Sequence, residues 1–258
     1  MKLNKLTGSV YFASSVMFIA AIVSLVIAFI TNRGDMTTAV LIIVGFMLIV
    51  TGLFILLTAE RAPLPAFLTE LMPVQATENI AVMLGDLGVT SNTVHRYLKK
   101  SEEVIQINPI TGGRIPEVSA DNTFVIEKNW SGAVYPAVSS TLLRKLKNED
   151  NLKVPLNNTD MLSTCLNEVV CDYLAIAKKV TLSKNNQSIS LLLSGFSMSR
   201  MCQTMQKASP KCCTMVGCPL CSLLAAIIAE SEDCDVMSDN AAVEKDRLIL
   251  AFSLHKRD

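Results

Sequence analysis

Net charge is absent from this sequence: 23 Lys and Arg are matched by 23 Asp and Glu. A chain with no net field has nothing to draw in a polyanion from a distance, so no nucleic-acid partner is expected. Histidine is nearly absent too. The two present, His95 and His255, lack metal-ligand or triad spacing and read as surface residues. No G-x-x-x-x-G-K-[ST] or G-x-G-x-x-G occurs. "NPITGGR" (residues 108–114) is the nearest approach and reads as a glycine turn between strands, so no cofactor is expected. Repeats and low-complexity tracts are missing, which excludes solenoid and disordered architectures. The eight cysteines have no regular framework spacing, which suits a reducing compartment.

Long apolar runs, by contrast, are present. "VYFASSVMFIAAIVSLVIAFI" (residues 10–30) and "AVLIIVGFMLIVTGLFILL" (39–57) contain no charge. At about 1.5 Å per residue each is long enough to cross a hydrocarbon core of about 30 Å. Backbone in lipid must satisfy its own hydrogen bonds, which selects helix. The link "TNRGDMTT" is short and polar, so residues 1–59 read as a transmembrane helical hairpin in the bilayer. Ala20, Ser24 and Ala28 in the first run, and Gly45 and Gly52 in the second, are small residues on faces that could meet. The first run exceeds the ~7–15 residues of a signal-peptide core, and no small-x-small site follows it. Lys2 and Lys5 before the first span, against Arg33 in the link, place both termini in the cytoplasm of a two-span cell-membrane protein. The sequons at Asn129, Asn157 and Asn186 would matter only on the opposite side.

Residues 60–75 carry Pro63, Pro65 and Pro73 and read as a stiff linker, with an interfacial segment around 67–72. Residues 76–258 hold 19 basic and 20 acidic residues, enough chain for one domain with its own core. Thr77 reads as the N-cap of a helix with an Ile80, Met83, Leu84, Leu87 stripe, ended by Gly88. Strands are expected at 102–110 and 122–128, and a short helix at 139–150. A longer helix over 158–177 has Met161, Leu162, Cys165, Leu166, Val169, Val170, Tyr173 and Leu174 at the 3.6-residue period. There follow a hairpin turning at 184–187, a helix at 197–208, a helix opening at "CPLC", and a final hairpin over 240–255. Paired strands with tight turns predict an α+β domain: an antiparallel sheet with helices packed on one face.

"KCCTMVGCPLCSLLAAIIAE" (residues 211–230) concentrates the chemistry. Cys212, Cys213, Cys218 and Cys221 are four potential thiolate ligands, but with one C-x₂-C and one adjacent pair rather than two knuckles. "CPLC" resembles the C-P-x-C sites of thioredoxin-like oxidoreductases. Pro219 suits a first helical position, and Cys218 an N-cap where the helix dipole lowers a thiol pKa. No later cis-proline can follow, because Pro219 is the last proline. The third reading is a buried core helix with inert cysteines, since "LLAAIIA" is apolar all round.

Two spans, a linker, "NPITGG", a long helix with a hairpin, then "GCPLCS" before an apolar helix and a closing hairpin resemble archaeal two-span membrane-anchored proteins whose domain has no assigned function. That resemblance implies no catalytic residue. No acid, base and nucleophile converge, so the expected role is non-catalytic binding of a partner protein, a second copy or a small ligand. Gly217, Cys218 and Pro219 are the candidate pocket wall. The alternatives are a membrane-tethered thiol oxidoreductase using Cys218 and Cys221, and a metal module using Cys212, Cys213, Cys218 and Cys221.

Overall fold

The structure, a computed structural model, describes residues 3–31, 34, 36–58, 66–209 and 211–257. The chain divides into two compact units, Met1–Thr69 and Glu70–Asp258.

The first unit contains α1 (Leu3–Thr31) and α2 (Met36–Thr58), packed along each other. Both are long and apolar enough to cross a membrane. Their contact face is made of small residues, because only small side chains let two helix backbones approach closely. Ala21, Ser24 and Ala28 are buried on α1, and Gly45 and Gly52 on α2. A Cβ on Gly45 would lie 2.7 Å from Leu25 Cγ, so a larger residue there would force the Leu25 side chain to move. Ser24 Oγ donates to Leu41 O across the pair at 3.0 Å. Ala20, expected on this face, points outward, one position away from the buried Ala21. The outward faces are apolar: Phe12, Phe29, Phe46 and Phe54 are all exposed.

Residues 60–65 of the expected linker, with Pro63 and Pro65, lie outside the described residues. Beyond them the linker reading is corrected, because α3 runs Ala66–Asp86 with Pro73 inside it. A proline in a helix interior costs about 3 kcal/mol. Val74, Ala81 and Leu84 are buried in the domain core, and burial of that size offsets such a cost. Thr77 is therefore no N-cap; its Oγ1 donates back to Pro73 O at 2.7 Å. The buried stripe also differs from the periodic reading, since Met83 and Leu87 are exposed.

The rest of the second unit is an α+β fold around one antiparallel sheet of eight strands, in the order β3-β4-β2-β1-β7-β8-β6-β5. The strands are β1 (Val94–Leu98), β2 (Glu103–Pro109), β3 (Phe124–Glu127), β4 (Trp130–Pro136), β5 (Lys179–Asn185), β6 (Ser188–Ser194), β7 (Asp235–Glu244) and β8 (Arg247–His255). Consecutive strands pair as hairpins. The two halves of the sheet join only through β1 and β7, where Val94 faces Met237 and His95 faces Val236. Strands β1 and β4 were not expected from sequence.

The helices are α4 (Ser140–Asn148), α5 (Thr159–Asn167), α6 (Ser199–Ala208), the single turn α7 (Cys212–Met215) and α8 (Pro219–Glu232). Ser139 stands at the N-cap of α4 but makes no side-chain cap bond. Asn158 caps α5, its Oδ1 accepting from Met161 N at 3.0 Å. The single helix expected over 158–177 instead widens into a π-helical turn at Glu168–Tyr173. Tyr173, at the end of that turn, is exposed, and so is Met161 in the first turn of α5, so neither belongs to the buried stripe.

The central helix is α8, in which every residue from Leu220 to Ser231 is buried. By length and composition the stretch Cys212–Glu232, which holds α7 and α8, could cross a membrane, but 89% of that window is buried within the protein. The main core gathers α8, α5, α6 and one sheet face. On the other face Val94, Ile105, Ile107, Trp130 and Val134 form a second, smaller core. No helix covers it. The irregular segment 110–123 crosses it and inserts Val118.

Candidate functional site

The cysteine-rich segment is positioned by polar side chains on the helix-facing side of the sheet. Asn108 Nδ2 donates to Met215 O and Gln106 Nε2 to Val216 O, each at 2.7 Å. These bonds cap carbonyls left free where α7 ends. Gln106 Oε1 accepts from Val138 N at 2.7 Å and from Ser222 Oγ at 3.0 Å. Ser222 Oγ also lies 3.3 Å from His95 Nε2 and 3.2 Å from Ser139 Oγ. Tyr135 OH donates to Asn108 Oδ1 at 2.7 Å. His95 is thus not a surface residue, as its sequence neighbours suggest, but 1% exposed. Burial holds its imidazole down at about 3, so it is neutral.

Gly217 makes the turn into α8 with φ +80°. Cys218 follows in extended conformation as N-cap, and Pro219 takes the first helical position. Cys221 N donates to Cys218 Sγ at 3.4 Å, and Ser222 N to Cys218 O at 2.9 Å. The amides of this helix start thus point at Cys218 itself. Gly217 and Cys218 are buried and Pro219 is half-buried; none of the three lines either surface cavity described below.

The structure adds a thiol that spacing did not connect to "CPLC". Cys202, one turn into α6, hydrogen-bonds Cys218, as does the Cys221 thiol. These bonds, from Cys202 first, hold the Cys218 thiol well below the usual range. The bond to Cys218 in turn pushes Cys221 up, and burial pushes Cys213 up to about 12. Cys212 is also buried. Among the described residues, no group of three or more His, Cys, Asp or Glu is arranged to hold a metal ion. The four cysteines weighed as a ligand set are therefore not brought together as one.

The second candidate lies on the opposite sheet face. A groove of about 1470 Å³ runs along β1 and β7, between segment 110–123 and the tail at 255–257. Its floor holds an ion pair: Arg96 Nε donates to Asp235 Oδ1 at 2.8 Å, and NH2 to Oδ2. Arg96 NH1 donates to Pro116 O at 2.7 Å, which ties the crossing segment down. Arg257 NH1 donates to Tyr97 O at 2.9 Å and NH2 to Asp233 Oδ1 at 2.7 Å. Lys99 pairs with Asp233 as well. Half-buried Leu98, Ile115 and Met237 supply apolar wall. A smaller polar cavity of about 1090 Å³ lies by Asn157, Lys184, Gln187 and Glu232.

Sequence reasoning missed this groove because its parts are far apart in the chain. Arg96 and Asp235 are separated by 139 positions. The available signal was the length of segment 110–123: connections of that length without secondary structure are uncommon and often functional.

Scans of family models, curated proteins and solved structures each return no match to the chain.

Proposed function

We propose that this protein is a membrane-anchored binding domain, with α1 and α2 crossing the bilayer and the outer-face groove holding an extended segment of a partner protein. The groove carries this reading. Small-molecule pockets run to about 300–1,000 Å³, and this groove has about 1470 Å³. Its length along two strands suits an extended chain. Its cations Arg96, Lys99 and Arg257 are already paired with Asp235 and Asp233, so bulk charge is not what it recognises. Leu98, Ile115 and Met237 favour apolar side chains in the partner segment, while Lys100 and Lys256 at one end favour an acidic residue there.

Selection of linear peptides from a random display library, against the full chain in lipid nanodiscs, tests the groove. Peptides should be recovered whose affinity falls about tenfold or more for Ile115→Asp, in line with loss of an apolar anchor. Failure to recover peptides, or binding unchanged by that substitution and by Lys100→Glu, defeats the reading.

Both chain ends lie on the cytoplasmic side in this proposal, from the excess of Lys2 and Lys5 over Arg33. A C-terminal reporter that is active only in the cytoplasm should be active. Activity only of a reporter that requires export would reverse the topology.

A further inference from the structure

We propose that Cys218 and Cys221 are a dithiol oxidised by peroxides to a disulfide at the start of α8, with Cys202 as the residue that positions the Cys218 sulfur. This site is independent of the groove, which lies on the other face of the sheet.

Three observations carry it. First, Cys218 and Cys221 occupy the N-cap and third positions of α8, and Cys221 N reaches Cys218 Sγ at 3.4 Å. Side chains at these two positions stand side by side, as in a reciprocal capping pair. Second, Cys218 Sγ receives two thiol hydrogen bonds, one from Cys221 and one from Cys202 on a different helix. A structural core cysteine needs no such convergence; a sulfur that must carry negative charge while it attacks does. The low-lying Cys218 thiol accords with this arrangement. Third, Cys218, Cys221 and Cys202 are buried, yet Pro219, which follows Cys218 directly, is half-buried, so the helix start that carries the sulfur begins one residue from solvent. A peroxide is little larger than water, so it is the class of oxidant that needs the smallest local opening to enter.

The reaction is balanced by the peroxide alone. The Cys218 sulfur attacks one peroxide oxygen and the O–O bond breaks. Cys218 becomes a sulfenic acid, and the other oxygen leaves as water with the proton Cys218 gave up. The Cys221 sulfur then attacks the Cys218 sulfur, the S–O bond breaks, and the hydroxyl leaves as a second water with the Cys221 proton. Two thiols lose two electrons to the peroxide, and one S–S bond forms.

The test uses the reduced full chain in nanodiscs, exposed to hydrogen peroxide, then alkylated and mapped by mass spectrometry. The expected product is lighter by about 2 Da, with Cys218 and Cys221 alkylated only after dithiothreitol. Cys202→Ala should slow this oxidation about tenfold at neutral pH and move the midpoint of its pH profile upward, and Cys202→Ser should restore much of the rate, because a hydroxyl still donates. The wild-type map decides even if Cys202→Ala fails to fold. Oxidation first at half-buried Cys171, a Cys202–Cys218 bridge, or eight cysteines that stay reduced until the chain unfolds would each overturn the proposal.

Discussion

Lowering the pH from 7 to 4.5 is expected to cost the Glu70–Asp258 unit about 3 kcal/mol through His95 alone, since one pKa unit corresponds to about 1.4 kcal/mol. The folded imidazole titrates at about 3, against 6.5 when exposed. Between those values the unfolded chain binds a proton that the folded protein cannot. Stability is therefore fully present above about pH 6.5 and is lost progressively as pH falls towards 3. The penalty exists because a charged imidazole would sit at 1% exposure beside Ser222, with no carboxylate at hand among its described hydrogen-bond partners. Urea unfolding at a series of pH values measures it. Other groups also titrate in acid, so the comparison is with His95→Gln, which cannot charge. That variant starts lower in stability, but its slope between pH 6.5 and 4.5 should be shallower by about one proton. Equal slopes would mean that His95 is protonated in the folded protein.

Asp235→Ala is expected to destabilise the same unit by about 3–5 kcal/mol, the cost of leaving one member of a buried ion pair without its partner. The side chains of Arg96 and Asp235 are 9% and 8% exposed, so solvent screens them little. Two of the three Arg96 nitrogens would lose their acceptor, leaving only the bond to Pro116 O. For a unit of this size the loss corresponds to a fall in Tm of about 10 °C. The double variant Arg96→Met with Asp235→Leu should recover most of it, because a well-packed apolar pair often matches a buried ion pair in stability. A single variant that melts like the wild type would show that water enters the groove floor and takes the place of the carboxylate.

The elements that could be read from sequence are those whose reasons are local. The two apolar helices, the hairpin of β5 and β6, and the start of α8 at Gly217-Cys218-Pro219 all follow from length, turn residues and capping chemistry. What could not be read depends on distant partners. β1 goes unread because its short run carries His95 and Arg96 in place of apolar residues, and His95 reads as a surface residue. They are buried because Ser222 and Asp235, more than a hundred positions away, satisfy them. In β2 the alternation of Ile105 and Ile107 with Gln106 and Asn108 suggests a polar outer face. In fact the polar pair faces the helices, and the isoleucines face segment 110–123. Pattern alone cannot tell which side of a sheet is covered by an irregular segment. β4 escapes notice because "WSGAVYP" contains Gly132, which is required there: a Cβ would fall 2.8 Å from Asn108 O. Of the candidate site, Cys218 and Cys221 were visible as a motif. Cys202 was not, since only the packing of α6 brings it to them.

The junction between β1 and β7 also bears on how the chain reaches this state. Each half of the sheet is built on hairpins whose partners are neighbours in sequence, and its one longer closure, β2 on β4 or β6 on β8, is rewarded with five or seven paired positions. The junction instead joins Val94 and His95 to Met237 and Val236, and rewards that long closure with only two paired positions. Contacts of such high order form slowly and gain little until the rest is in place. The two half-sheets are thus positioned to form independently, and their docking, completed by Arg96 on Asp235, is the step expected to limit the folding rate.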